Sequence, residues 1–175
     1  MSAGPGEAAV ERGVGAAVTG PASPRRVAGD QHRVLLARVG GERFALPLRD
    51  LREAVDAPRL TPVALAPEGL AGQTPYRGRL LPVFDAGVLF GVPREGGPGA
   101  LLVLESESGA FGLWVDDVED MVSAPRRAWR ALPADAGKAT NVLRALLALE
   151  DGIAALVDVA LVRSTVAARL RTEAP

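Results

Sequence analysis

Leu143-Arg144-Ala145-Leu146-Leu147-Ala148-Leu149, Glu150-Asp151-Gly152, Ile153-Ala154-Ala155-Leu156-Val157 sets two apolar runs on either side of a short polar break. Runs of this length fit strands better than helices. Asp151-Gly152 accepts positive φ, as a type I′ turn between two paired strands requires. The reading is a β-hairpin, and it sets the class for the rest of the chain.

Downstream of the hairpin, Asp158 is placed to cap a terminal helix. Val159, Val162, Val166 and Leu170 follow helical spacing, with Arg163, Arg169 and Arg171 expected outside. Upstream, Ala100–Leu104 and Phe111–Val115 read as strands joined by polar Glu105–Gly109, and Gly91–Gly99 as a Gly/Pro loop. Gly72–Tyr76 and Arg79–Asp85 form another pair turning at Arg77-Gly78. Arg33–Val39 and Glu42–Leu46 are joined by Gly40-Gly41, a two-residue hairpin signal. In the second of these, Phe44, Leu46 and Leu48 share one face, which predicts a half-buried strand ending near Pro47. Leu48–Ala54 is expected to make one or two helical turns, and Asp56–Pro67 to alternate extended pieces with turns. Short strands at near-regular spacing, with no βαβ alternation, predict small barrels or a sandwich.

Residues 1–31 are dominated by Ala, Gly and Pro, and the first leucine is Leu35. So little large apolar surface cannot offset the entropy of ordering, which predicts a disordered tail before a folded domain over residues 32–172. A short helix over Glu7–Arg12 is opposed by Gly13 and Gly15. The 175 residues suit one domain. No apolar stretch approaches the roughly 20 residues that span a bilayer, and no secretory signal pattern opens the chain. A cytoplasmic protein is expected, without direct membrane insertion.

Composition excludes much chemistry. There is no cysteine and one histidine, so thiolate nucleophiles and cysteine metal sites are ruled out. His32 falls at the border of the tail and reads as a linker residue, not as a positioned catalytic base. Asp116, Asp117, Glu119 and Asp120 lack the spacing of a calcium loop and read as a solvated turn or helix start. Gly137-Lys138 fails as a phosphate loop, because Leu132 stands at the first glycine position and Ala139 at the Ser/Thr position. The net charge of −1 and 4% aromatic content give no basic groove of stacking rings for nucleic acid. No catalytic residue, cofactor or metal site is therefore expected. Arg77-Gly78-Arg79 is a basic knot in a tight turn, with two readings left open: both arginines solvated, or Arg77 held to meet a partner or to brace the turn.

The stretch Gly72-Gln73-Thr74-Pro75-Tyr76-Arg77-Gly78-Arg79-Leu80-Leu81-Pro82-Val83-Phe84-Asp85 resembles the most recognisable segment of the CheW family. That segment runs Gly, two variable positions, Asn-Leu-Arg-Gly, three variable positions, Pro, two apolar residues and Asp. Phe44–Leu48 with Leu51–Val55, and Gly112–Val118, are similar to two further family pieces in the same order, and the final hairpin and helix sit at the expected distances. Gly78, Pro82 and Asp85 are the structural positions of the motif. Pro75 replaces the family's Asn and Ala54 its Ile, which puts receptor preference in doubt.

The resemblance implies a mainly β fold of two small SH3-like five-stranded barrels sharing a hydrophobic core, with short helices and a C-terminal helix. It implies no enzymatic activity and no cofactor, in a bacterial protein of two-component chemotaxis signalling; a near-total preference for Arg over Lys fits a GC-rich genome. The implied role is an adaptor between methyl-accepting chemoreceptors and a CheA-type histidine kinase. Its implied partners are the cytoplasmic receptor tip, the kinase regulatory domain and other CheW-like domains, with association to membrane receptor arrays through protein contacts. Receptor contact is carried over to Leu51, Glu53, Leu60, Gly72 and Arg77, read as an exposed apolar strip with a charged anchor. The competing readings are a β-barrel peptide or nucleic-acid binding module outside chemosensing and, third, a small hydrolase.

Overall fold

The computed structural model describes residues 31–57, 59–106, 109–134 and 141–171. Residues 1–30 of the tail expected over 1–31, the helical option at Glu7–Arg12 and the Gly137-Lys138 loop lie outside these residues. The strands are β1 (Gln31–Val39), β2 (Glu42–Pro47), β3 (Leu51–Asp56), β4 (Leu70–Tyr76), β5 (Arg79–Asp85), β6 (Ala100–Ser106), β7 (Gly109–Val115), β8 (Asp117–Pro125), β9 (Trp129–Arg130), β10 (Leu143–Leu149) and β11 (Gly152–Val157). Among the described residues the α-helices are α1 (Ala86–Phe90) and α2 (Val159–Arg171).

The strands form two sheets, ordered β8-β1-β2-β11-β10-β9 and β3-β6-β7-β5-β4. In the first, the edge strands β8 and β9 are joined by a single 3-10 turn, Arg126–Ala128, so the sheet curls until its two edges meet. In the second, the connection from β3 to β4 folds back onto the edge, where Thr61 and Gln73 exchange backbone hydrogen bonds of 2.8 and 2.9 Å. The result is two small SH3-like barrels.

Alternation along the strands divides the apolar residues among three cores. Val34, Leu36, Ala45, Leu147 and Ala154 fill the first barrel. Leu81, Val83, Leu101 and Val103 fill the second. The opposite faces of the same strands, with Leu35, Phe44, Leu46, Leu102, Leu104 and Leu113, meet α1 and α2 in a shared core. Aromatic pairs tie it together: Phe44 lies 4.5 Å from Phe90 and Phe84 meets Phe111 edge-on at 6.5 Å.

Several expectations are corrected by this division. Phe44 and Leu46 do share a face, but β2 is not half-buried, because Ala45 on the other face fills the first barrel. Only Leu48–Asp50 is helical, as one 3-10 turn, and Leu51–Asp56 is a strand paired with β6. His32 is no linker: its backbone lies in β1 opposite Ala124, and the strand begins at Gln31 instead of Arg33. Asp117, Glu119 and Asp120 belong to the edge strand β8. In α2, Asp158 caps as expected by accepting from the N–H groups of Ala160 and Leu161. Val159, Val162 and Val166 are buried, whereas Leu170 is exposed, and Arg163 turns inward to pair with Asp50 at 3.4 Å.

Gly72 shows why one position of the motif admits no side chain. A Cβ there would stand 2.7 Å from the Thr61 carbonyl oxygen and 3.2 Å from the Leu60 Cβ. Gly72→Val should therefore lower stability by about 1–3 kcal/mol through overpacking. Hydrogen exchange at Thr61 and Gln73 should accelerate more than exchange in the first barrel.

Candidate functional site

On β3, Leu51, Glu53 and Val55 are half-buried while Arg52, Ala54 and Asp56 face solvent. The Glu53 side chain meets the tip of the β4–β5 hairpin. Its Oε1 accepts from the Tyr76 hydroxyl and from an Arg77 guanidinium N–H at 2.9 Å. Burial pushes the Tyr76 hydroxyl up from its ordinary value, and Glu53 pushes it further, so it remains a protonated donor at neutral pH. The Arg77 guanidinium also lies 5.4 Å from the Tyr76 ring centroid.

The turn that carries Arg77 is strained at that residue. Arg77 has φ 47° and Gly78 φ 76°, the paired left-handed geometry of a type I′ turn. Glycine adopts it without penalty, whereas a residue with a Cβ pays roughly 1–2 kcal/mol. The Arg77 side chain remains 60% exposed. Beside the turn, a groove of about 420 Å³ runs between the hairpin and α2, with Leu80, Pro82, Phe111 and Leu170 along it. An ion pair between Arg52 and Glu105 borders it.

Of the receptor-contact residues expected from the sequence, Glu53 and Arg77 are brought into direct contact. Leu60 and Gly72 touch each other rather than that pair, and Leu60 packs into the second barrel. Leu51 packs against the shared core opposite Leu104. Leu51 and Leu60 therefore do not form an exposed apolar strip; the exposed apolar residues near the pair are Leu80 and Leu170. Among the motif positions, Gly78 completes the turn, Pro82 lies on β5 opposite Gln73, and the Asp85 Oδ1 caps α1 by accepting from the Gly87 N–H at 2.7 Å. Pro75, exposed on the edge strand β4, is tolerated where an outward N–H is dispensable.

One structural centre overturns a sequence expectation, which placed Asp116 in a solvated turn or helix start. Asp116 sits where the chain passes from the second barrel to the first, and its side chain is only 6% exposed. Its Oδ2 accepts from the Gly40 and Glu95 N–H groups at 2.7 and 3.1 Å, and its Oδ1 from the Arg94 Nε at 2.9 Å. Arg94, 7% exposed, stacks 4.0 Å from the Trp114 ring centroid and lies 3.8 Å from Asp85. Burial would push the Asp116 carboxyl up, but the two backbone N–H groups and Arg94 outweigh it and hold it below the usual carboxylate range. No cluster of three or more His, Cys, Asp or Glu suited to a metal occurs among the described residues, and none of their helices is long and apolar enough to cross a membrane.

The chain matches the family model described as CheW-like domain over residues 33–166. It is 28% identical over 148 residues to the chemotaxis protein CheW of Klebsiella aerogenes, covering 81% of this chain and 89% of that one. Its fold is similar to the crystal structure of the scaffolding protein TtCheW from Thermoanaerobacter tengcongensis, with a TM-score of 0.67 at 20% identity, over 73% of this chain and 88% of that one. Two barrels around a shared core, the turn motif of Gly72–Asp85 and the family match over 33–166 lead to one conclusion: the chain belongs to the CheW-like domain family.

Proposed function

We propose that the protein is a chemosensory adaptor that couples chemoreceptors to a CheA-type histidine kinase and acts by binding alone. Family membership supports the role, and one observation supports the place of contact. Arg77 occupies a left-handed turn position that glycine or asparagine would fill with less strain, yet its side chain stays 60% exposed even while it pairs with Glu53. Strain retained at an exposed charged residue argues for a use outside the fold. Glu53 and Tyr76 hold that charge beside exposed Leu80, giving an apolar contact with a charged anchor, as in protein interfaces. In this reading Glu53 and Arg77 touch the receptor tip, while Leu51, Leu60 and Gly72 set the shape beneath them. The working unit spans residues 32–172 and operates in the cytoplasm, reaching receptor arrays through protein contacts.

Reconstitution tests the coupling. Added to a chemoreceptor and a CheA-type kinase from the same genome, the protein should raise kinase autophosphorylation several-fold above the two-component mixture. The gain should be bell-shaped in adaptor concentration. An adaptor bound to both partners makes their encounter effectively intramolecular, and excess adaptor occupies them separately. Binding to neither partner would falsify the adaptor reading and leave a generic β-barrel binding module.

A further inference from the structure

The first barrel opens at one end into a groove of about 680 Å³, the size of a built ligand pocket. Its floor is the apolar interior of that barrel, with buried Val34 and half-buried Leu156 and Trp129. Its rim carries Arg33, Arg49, Arg126 and Arg144, all exposed, and no acidic residue among the described residues lining it. These arginines come from four separate elements: the start of β1, the 3-10 turn after β2, the 3-10 turn before β9, and β10. The chain as a whole carries a net charge of −1, so this concentration of positive charge is local.

We infer that this barrel mouth docks an acidic protein segment carrying one large apolar side chain, which enters the groove while flanking carboxylates meet the arginines. Arg144 pairs with Asp158 at 2.8 Å and Arg49 leans toward Asp50 at 3.6 Å, but their side chains remain 65% and 72% exposed. The partner carboxylates of Asp158 and Asp50 are largely buried, so each exposed guanidinium keeps donors on its outer side free to meet a partner's carboxylate. Four guanidiniums around one apolar groove can each meet a separate carboxylate of a peptide laid across it. Nucleic acid fits less well: Trp129 is the one aromatic residue lining the groove among those described, and it packs into the barrel interior instead of standing free for bases to stack on. The mouth shares no residue with the Glu53–Arg77 pair or the groove beside it, so the inference stands independently of the receptor assignment.

The probe is a fluorescein-labelled peptide with four glutamates on each side of one phenylalanine, measured by anisotropy with the full chain. It should bind saturably, weaken at least tenfold with Arg49→Glu/Arg126→Glu, and weaken at least fivefold when glycine replaces its phenylalanine. Arg79→Glu, on the other barrel, should leave binding unchanged, and unchanged melting curves should show that the rim variants fold. If the double variant misfolds, Arg49→Gln/Arg126→Gln should still weaken binding several-fold. No saturable binding, or equal binding of the glycine peptide, would overturn the inference. Tighter binding of oligothymidine with the same arginine dependence would overturn it in favour of nucleic acid.

Discussion

Asp116→Ala should lower the melting temperature by about 10–20 °C, the largest effect expected from any single polar substitution in this chain. The mutation strips the acceptor from two backbone N–H groups and leaves the Arg94 guanidinium buried without its main counter-charge. Breaking a buried pair in this way costs about 3–5 kcal/mol, a large part of a domain's usual 5–15 kcal/mol. Asp117→Ala is the control, since its pair with Arg38 is exposed and worth about 0–1 kcal/mol. Acid should act on the same group. The folded Asp116 carboxyl is held below its ordinary value, so its contribution is complete above the unfolded-state value of about 3.9 and is lost as pH falls through the folded-state value. Thermal melts from pH 7 to pH 2 should show a steeper acid loss for the wild type than for Asp116→Asn. Equal slopes would mean that the carboxylate is not the acid-sensitive group.

Arg77→Asn should reduce receptor affinity by at least about tenfold while leaving the melting temperature unchanged or slightly raised. Asparagine suits the left-handed turn position better than arginine, so the turn should gain up to about 1 kcal/mol as the charge is lost. The ion pair with Glu53 is too exposed on the arginine side to matter much to folding. This substitution separates the two uses left open for Arg77. A residue that braces its own turn would lower the melting temperature on removal, and affinity would fall only as the fold loosened. Glu53→Ala should reproduce the affinity loss, and the double variant should bind about as poorly as either single one, because the pair acts as a unit. Full affinity in Arg77→Asn would remove the pair from the interface.

The fold was legible wherever structure is written locally. Gly40-Gly41 and Arg77-Gly78 mark their hairpins because positive φ selects residue type at the turn itself. The last hairpin instead turns on Glu150-Asp151, neither with positive φ, and Gly152 (φ 151°) already begins β11, so the type I′ turn expected at Asp151-Gly152 does not form. The reading failed where a short segment satisfies two periodicities at once. Leu48–Ala54 can place apolar residues on a helix, but Leu51, Glu53 and Val55 also alternate, and pairing with β6 decides for the strand. It failed again where the deciding partner is remote. Asp116 looks like one more solvated acid in the run from Asp116 to Asp120, and nothing near it announces Arg94, which hides in a Gly/Pro loop, or the Gly40 N–H from another hairpin. At the candidate site, the family motif singled out Glu53 and Arg77. The Tyr76 hydroxyl that joins them was not legible, since only the fold brings β3 against the hairpin tip.

The order of the strands also bears on how the chain is made. The second barrel is one unbroken stretch, β3 to β7, inserted between β2 and β8 of the first. During synthesis from the N-terminus, β1 and β2 emerge early but cannot complete their sheet until β11 arrives, with Phe44 set beside Ala155. The inserted barrel can close well before that. Until α2 follows, its outer face, with Leu102, Leu104 and Leu113, lacks Val162 and Val166, which complete the shared core. Vectorial synthesis thus leaves the particle half-finished for the time needed to translate β8 through α2.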